Sequence, residues 1–185
     1  MSNPRRIVPG TTYLVTRRTT RRYFLLTPDK RRILLAFYWY ATAVLAAELG
    51  IEIHAVQMLS NHLHEVLTDT RGRLPDFLSQ RNRLLANAIK VLRGWTGEVF
   101  SREGASVVAL YGEDAVLQKI GYTLANAVEA GLVASPEDWP GVTLAATDIG
   151  ARTIRVSRPE LYFDAKNTRW PDDVEISITV PRALE

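Results

Sequence analysis

The chain has 185 residues, 46% hydrophobic and 23% charged, so it is long enough to bury a core and has an ordinary globular composition. It contains no cysteine, which excludes disulfides and thiolate metal sites and leaves nitrogen and oxygen as metal ligands. The net charge is only +3, but the first 32 residues hold nine Lys and Arg residues and one acid, Asp29. This uneven distribution favours a polyanionic partner.

No stretch of the sequence predicts a membrane span. The longest apolar run, residues 33–47, is interrupted by Thr42 and is shorter than the roughly 18 residues that a spanning helix needs. Residues 1–9 lack the apolar run of a signal peptide. Together with the absence of cysteine, these features lead us to expect a cytoplasmic protein without a membrane partner.

The first half of the chain predicts a β-α-β-β order. A β-branched and aromatic run over residues 11–16 predicts a strand. Thr27 and Pro28 predict the start of a long helix, with Thr27 as its N-cap, and Gly50 predicts the end of that helix. Two further strands are predicted over residues 51–59 and 62–68.

The second half predicts helix, strand and helix. Apolar residues recur at helical spacing from Leu74 to Leu92, and Gly94 ends the pattern. Short extended segments are predicted over residues 98–101 and 106–111. Residues 114–132 predict a last helix, and a break near Asn126 is left open.

The predicted order β-α-β-β-α-β-α indicates an α+β protein with a ferredoxin-like antiparallel sheet. Two helices would cover one face of this sheet, and the last helix would cover the open face. Beyond about residue 150, two alternating stretches between prolines predict a C-terminal β extension that packs on the core or on a partner. We therefore expect a main domain over residues 1–150 and an extension over residues 151–185.

The sequence Ser60-Asn61-His62-Leu63-His64 carries the first candidate site. Side chains alternate faces in a strand, so His62 and His64 would point the same way and could grip a divalent cation together. Two half-buried structural histidines are the alternative for such a short pattern. His54, on the neighbouring strand, is predicted to be structural.

The last predicted helix carries the second candidate site. Tyr122 and Asn126 are four residues apart and share a helix face, which could present a phenol and an amide oxygen to the histidines. Two imidazoles and an amide oxygen, with positions open for phosphate and water, suit Mg²⁺ or Mn²⁺ acting on a phosphodiester. An amphipathic-helix tyrosine lying over the core is the alternative for Tyr122.

Both blocks resemble one known family. His62-Leu63-His64, preceded by Asn61 and residues 53–58, resembles the HUH motif of single-tyrosine transposases. Residues 120–133, followed by Pro136-Glu137-Asp138-Trp139-Pro140, are similar to the second block of the same family. The resemblance is strongest to the REP-associated tyrosine transposases and covers roughly residues 6–145.

The resemblance implies a ferredoxin-like fold and divalent-metal-dependent cleavage and joining of single-stranded DNA near hairpins, through a 5′-phosphotyrosine. By position it makes His62, His64 and Asn126 the ligands of Mg²⁺ or Mn²⁺, and Tyr122 the catalytic nucleophile. It further implies a bacterial, DNA-associated protein that binds single-stranded or hairpin DNA as a monomer or homodimer.

Arg17, Arg18, Arg21 and Arg22 are predicted DNA contacts, because arginine pairs recur through the first strand and the loop after it. A ferredoxin-like nucleic-acid-binding protein that has lost catalysis is the alternative function.

The chain departs from the family pattern at three positions. Ser60 and Ala127 stand where the family usually has proline. Ala127 removes a helix-breaking residue, so the last helix is expected to run straighter. Glu65 after His64 is atypical, and strand alternation predicts that it faces away from the metal.

Overall fold

The computed structural model describes residues 7–160 and 162–185; Arg5 and Arg6 of the basic N-terminal cluster lie outside these ranges. The strands and helices, in chain order, are β1 (Thr11–Arg18), α1 (Ile33–Leu49), β2 (Ile51–Met58), β3 (His62–Asp69), α2 (Leu74–Arg93), β4 (Ser106–Leu110), α3 (Glu113–Glu129), β5 (Thr153–Ser157) and β6 (Asp173–Ser177). Within the described ranges, none of the helices is long and apolar enough to cross a membrane.

The first four strands form one antiparallel sheet in the order β2-β3-β1-β4. This order confirms the predicted ferredoxin-like arrangement. Successive side chains of β3 point to opposite faces. Glu65 contacts Tyr38 of α1 and Arg81 of α2, whereas His64 contacts Tyr122 of α3. The α1/α2 pair therefore covers one face of the sheet, and α3 covers part of the other.

Helix α1 begins at Ile33, later than the sequence pattern predicts, and Thr27 is not its N-cap. The Asp29 carboxylate accepts hydrogen bonds from the backbone N–H groups of Ile33 and Leu34, each at 2.9 Å. The Thr27 hydroxyl instead donates to the carbonyl of Phe24. Asp29 thus satisfies the free N–H groups of the first turn from outside the helix.

Helix α3 runs unbroken through Asn126, so the break considered from the sequence is wrong. Ala127 is fully buried against Leu59 and Trp139. Unlike proline, alanine keeps its backbone N–H and continues the helical hydrogen bonding. Trp139 Nε1 donates to the carbonyl of Met58 at 2.8 Å and so ties this end of α3 to β2.

The C-terminal extension forms the antiparallel pair β5–β6, which packs on α1. Tyr40 of α1 donates its hydroxyl to the Pro171 carbonyl at 2.6 Å, and Phe163 stacks on Phe37 at 5.1 Å between ring centroids. Ile178 is buried in the same hydrophobic cluster as the main sheet. The extension therefore packs on the core, while the domain division at residue 150 stays a prediction.

Candidate active site

The turn between β2 and β3 is held against the end of β1. Thr19, which is buried, donates its backbone N–H to the carbonyl of Asn61 at 2.9 Å, and its hydroxyl lies between the carbonyls of Tyr23 (2.7 Å) and Asn61 (3.0 Å). The Leu59 N–H closes the turn by donating to the His62 carbonyl at 2.8 Å. His62 therefore opens β3 from a backbone that is fixed on both sides.

The structure brings His62, His64, Tyr122 and Asn126 together between β3 and α3. The imidazole centroids lie 4.8 Å apart, and the Tyr122 ring centroid lies 5.2 Å from that of His64. Nε2 of His62 is 3.3 Å from Oδ1 of Asn126. The predicted spatial arrangement is therefore present, while the catalytic and metal-binding roles of these residues stay predictions.

Both ring nitrogens of His62 face an amide oxygen, and a neutral imidazole can donate a proton to only one of the two oxygens. Its Nδ1 lies 2.6 Å from Oδ1 of Asn61, whose own amide nitrogen donates to the carbonyl of Arg22. Burial lowers the pKa of His62, and the charges of Arg18 and Arg22 lower it further, against the opposing effect of Asn126. A neutral imidazole has a single N–H, so it can donate to one of its two oxygen neighbours only.

With the proton on Nδ1 of His62, the Nε2 lone pair faces the Asn126 oxygen at 3.3 Å. Two lone pairs facing each other repel, so this arrangement is stable with a cation between the two atoms. It is also stable if the Asn126 amide is rotated so that its NH₂ group donates to Nε2. Adjacent ligands of octahedral Mg²⁺, each at about 2.1 Å from the ion, lie roughly 3 Å apart. The Nε2–Oδ1 pair fits that spacing.

His64 is oriented by Thr16, which lies directly across from it on β1. Its Nδ1 is 2.9 Å from the Thr16 hydroxyl, and in the described part of the chain no group hydrogen-bonds its Nε2. Burial, assisted by the positive surroundings of His62 and Arg18, lowers the pKa of His64 to about 4. His64 is thus neutral at pH 7, and in the tautomer whose Nδ1–H donates to the Thr16 hydroxyl it has a free lone pair on Nε2.

The donor set is compatible with a divalent metal. Residues 7–160 and 162–185 contain no group of three or more His, Cys, Asp or Glu side chains that could hold an ion. The candidate set instead consists of two imidazoles and the Asn126 amide oxygen. Each imidazole makes its second contact with a polar side chain, Asn61 or Thr16, which is the arrangement that orients metal-binding histidines.

A cleft of about 550 Å³ opens beside Tyr122 and His64. Arg18 and Lys119 line it, and the Lys119 ammonium lies 5.6 Å from the centre of the Tyr122 ring. Glu103 also lines the cleft, so the two cations leave the lining net positive, which favours a phosphodiester. Tyr122 is 38% exposed and therefore accessible from solvent.

Sequence reasoning missed Thr16 and Lys119. Lys119 precedes Tyr122 by three positions, and this helical spacing could have identified it. Thr16 carried no local signal, because its place beside His64 depends on the pairing of β1 with β3.

The four predicted DNA-binding arginines do not form one surface. Arg18 lines the candidate site, and the charges of Arg18 and Arg22 both act on His62. Arg21 and Arg22 are exposed and adopt left-handed backbone angles, with φ of 47° and 56°. Arg17, the neighbour of Arg18 in a strand, points to the opposite face of the sheet, where its guanidinium lies over Phe100.

Glu65 faces away from the histidines, as the strand alternation predicts. It is fully buried and ion-paired with Arg81, which is also fully buried, and it accepts a hydrogen bond of 2.6 Å from the Tyr38 hydroxyl. The carboxylate that follows His64 in sequence therefore binds the helices on the other face and is no candidate metal ligand.

The fold and site define an α+β protein whose ferredoxin-like sheet presents a histidine pair to a tyrosine on a covering helix. No protein-family model and no curated protein matches the chain. A solved structure of a REP-associated tyrosine transposase bound to a REP hairpin is similar, with a TM-score of 0.58 and 25% identity over 76% of this chain and 81% of that chain. A putative transposase from Deinococcus radiodurans R1 aligns with a TM-score of 0.43 and 19% identity, over 68% of this chain and 97% of that chain. The chain is therefore similar, in fold and over most of its length, to a REP-associated tyrosine transposase.

Proposed function

We propose that the protein is a transposase that cleaves and rejoins single-stranded DNA near hairpins through a 5′-phosphotyrosine, with a divalent metal. The observation that carries this proposal is the contact of Tyr122 with His64, which lies beside His62, at a solvent-open cleft of net positive lining. The similar transposase of known structure is bound to a DNA hairpin, which supports the same class of substrate here.

His62, His64 and Asn126 would hold Mg²⁺ or Mn²⁺ in this proposal. When bound, the ion would act as a Lewis acid on the phosphate and offset the negative charge of an in-line displacement. The protein's part is to keep both imidazoles neutral by burial and to orient them through Asn61 and Thr16.

Tyr122 acts as the nucleophile. Its phenolic oxygen attacks the phosphorus of a phosphodiester, forms the Oη–P bond and breaks the P–O3′ bond, which releases a 3′-hydroxyl end. The DNA stays attached by its 5′ phosphate, so attack of a 3′-hydroxyl on the phosphotyrosine rejoins a strand and frees Tyr122. Arg18 and Lys119, both lining the cleft, bind the phosphate charge before and during this exchange.

The test is covalent capture. The protein is incubated with end-labelled hairpin single-stranded DNA, with Mg²⁺, Mn²⁺ or a chelator, and separated under denaturing conditions. We expect a metal-dependent protein–DNA adduct from the wild type. Tyr122→Phe, which keeps the ring and removes the attacking oxygen, should bind the hairpin and give no adduct.

Tyr111→Phe is the matched control, since Tyr111 is 76% exposed and does not line the cleft. An adduct that survives Tyr122→Phe but disappears in Tyr111→Phe would move the nucleophile to Tyr111. Hairpin binding without any adduct from the wild type would favour the alternative, a nucleic-acid-binding protein without catalysis.

A further inference from the structure

A second and larger cleft, of about 910 Å³, lies on the face of the sheet opposite to the candidate active site. Helix α2 forms one wall, and residues 98–107 form the other. Arg17, whose side chain points to the helix-covered face, lies in this cleft. None of the transposase residues proposed above, His62, His64, Tyr122 and Asn126, lines it.

Arg17 has an incompletely satisfied guanidinium. Its Nε and Nη1 atoms are buried and have no hydrogen-bond acceptor within residues 7–160 and 162–185, and no carboxylate of these ranges lies within ion-pair distance. The guanidinium packs 5.0 Å above the Phe100 ring, and burial lowers the pKa of Arg17. A guanidinium stays charged in proteins, so this side chain carries a desolvation cost that an anion would offset.

The rest of the lining adds two features. Arg83, Lys90 and Arg102 line the cleft with Arg17, against the two carboxylates of Glu98 and Glu103, so the lining is net positive. The wall is also apolar, through Leu78, Ala86, Val99 and Val107. A small inorganic ion would fill little of this volume and would leave the apolar wall uncovered.

Asn82 supplies a third requirement. Asn82 lines the same cleft, and its Oδ1 is buried and has no hydrogen-bond donor in the described part of the chain. A ligand that satisfies the whole lining therefore has an anionic group for Arg17, a flat apolar body for the wall and an N–H donor for Asn82. A nucleotide has all three, whereas a fatty acid or a plain phosphate does not.

We propose that this cleft binds a nucleotide of a single DNA strand, with its phosphate on Arg17 and its base on the apolar wall beside Asn82. The two clefts share the wall formed by Ser101, Glu103, Gly104 and Ala105, but Tyr122 does not line this one, and binding here does not depend on the cleavage reaction. It gives the predicted DNA contact of Arg17 a specific place, on the face opposite to that of Arg18.

The test titrates the metal-free protein with dCMP, inorganic phosphate and deoxycytidine, and follows binding by calorimetry. We expect saturable binding of dCMP and at least about tenfold weaker binding of the other two probes, because each lacks one half of the ligand. Arg17→Gln should weaken dCMP binding by about tenfold or more, since it removes a charged hydrogen-bond donor. Arg155→Gln, a change at an exposed arginine of β5, is the matched control and should bind as the wild type does.

A change in folding is separated from a change in binding by the melting temperature without ligand. Because the Arg17 charge is uncompensated, Arg17→Met should melt at or above the wild-type temperature. A large fall in melting temperature for Arg17→Met, or wild-type dCMP affinity in Arg17→Gln, would overturn the proposal. Competition of dCMP by the trinucleotide d(CCC) is expected; absence of competition would overturn the assignment to a DNA strand.

The nucleotide-subsite proposal and the cleavage proposal can be disproved independently of each other. Tyr122→Phe should bind dCMP with wild-type affinity, whatever its effect on adduct formation. Should the wild type form no adduct on any hairpin, dCMP binding and its loss in Arg17→Gln would still be expected. Loss of dCMP binding in Tyr122→Phe would contradict two separate sites.

Discussion

His54 shows at the scale of one residue how burial decides the role of a histidine. Its Nδ1 donates to the Thr179 carbonyl at 2.8 Å, and its Nε2 accepts from the Thr68 hydroxyl at 2.8 Å. His54 has no exposed surface, and this burial lowers its pKa to about 4, against the opposing hydrogen bond to Thr179. The neutral ring joins β2 to the C-terminal extension, in agreement with the structural role that the sequence favoured.

The low pKa of His54 predicts loss of stability in acid. Between pH 6.5 and about 4 the unfolded chain binds a proton at His54 that the folded protein does not bind, so the free energy of unfolding falls as pH falls through this window. The loss from His54 is up to about 3 kcal/mol, at roughly 1.4 kcal/mol for each pKa unit. Urea unfolding of metal-free protein at pH 7 and pH 5 measures it. His54→Gln should show a smaller difference between the two pH values, and an unchanged difference would contradict the assignment.

Thr16 gives the second residue-scale prediction. Thr16→Val keeps the shape of the side chain but removes the oxygen that orients His64. If the histidines bind metal, Mn²⁺ affinity should fall about 10- to 100-fold, as for other partners of metal-binding histidines. Calorimetric Mn²⁺ titration measures the change. Thr153→Val, which removes a hydroxyl contact to Ser177 on the exposed β5–β6 pair, is the control and should bind Mn²⁺ as the wild type does. Equal Mn²⁺ affinities of the two variants would exclude a role for Thr16.

At the scale of elements, strand β3 carries different chemistry on its two faces. His62 and His64 face α3, while Glu65 contacts α1 and α2 through Tyr38 and Arg81. The buried ion pair therefore fixes the same backbone that presents the histidines. Because side chains alternate along a strand, Glu65, one residue after His64, must point to the face opposite to the histidines.

Breaking this ion pair should be costly. Arg81→Met leaves Glu65 charged and fully buried, and we expect a loss of about 3–5 kcal/mol in the free energy of unfolding. The double variant Glu65→Leu with Arg81→Met removes both charges and should recover most of that loss. Arg102→Met, which breaks an exposed pair with Glu98, is the control and should cost about 0.5 kcal/mol. Urea unfolding measures all three; a loss in Arg81→Met no larger than in the control would show that the buried pair is unimportant.

The elements could be predicted from the sequence wherever local periodicity determines them. Strand alternation placed His62 with His64, and helical spacing placed Tyr122 with Asn126, because both relations depend on near neighbours only. The start of α1 was mispredicted, since Asp29 caps the helix from outside.

Contacts that depend on strand pairing could not be predicted. The place of Thr16 beside His64 follows from the register of two strands 48 residues apart in sequence. The buried partner of Glu65 likewise depends on how α2 packs over the sheet. The placement of Arg17 and Arg18 on opposite faces of the sheet, in contrast, could have been predicted from strand alternation alone.

At the scale of the whole molecule, the sheet divides the basic residues between two faces. Arg18, Arg22 and Lys119 surround the candidate active site, while Arg17 lies in the opposite cleft with Arg83 and Lys90. A net charge of only +3 therefore conceals two positive surfaces. We expect a strand bound at the active site to depend chiefly on the first of them.

Salt dependence tests this division. Each phosphate contact with a single strand contributes roughly −0.7 to the slope of log affinity against log salt, because counterions are released. Changing Arg18, Arg21 and Arg22 together to Gln should therefore flatten the slope for a hairpin substrate by up to about 2. Arg152, Arg155 and Arg158, at or beside β5, carry the same total charge and provide the matched triple variant. Fluorescence anisotropy over a salt series measures both slopes. If the β5 variant flattens the slope as much as the Arg18 variant, general charge attracts the DNA and the active-site face does not bind it specifically.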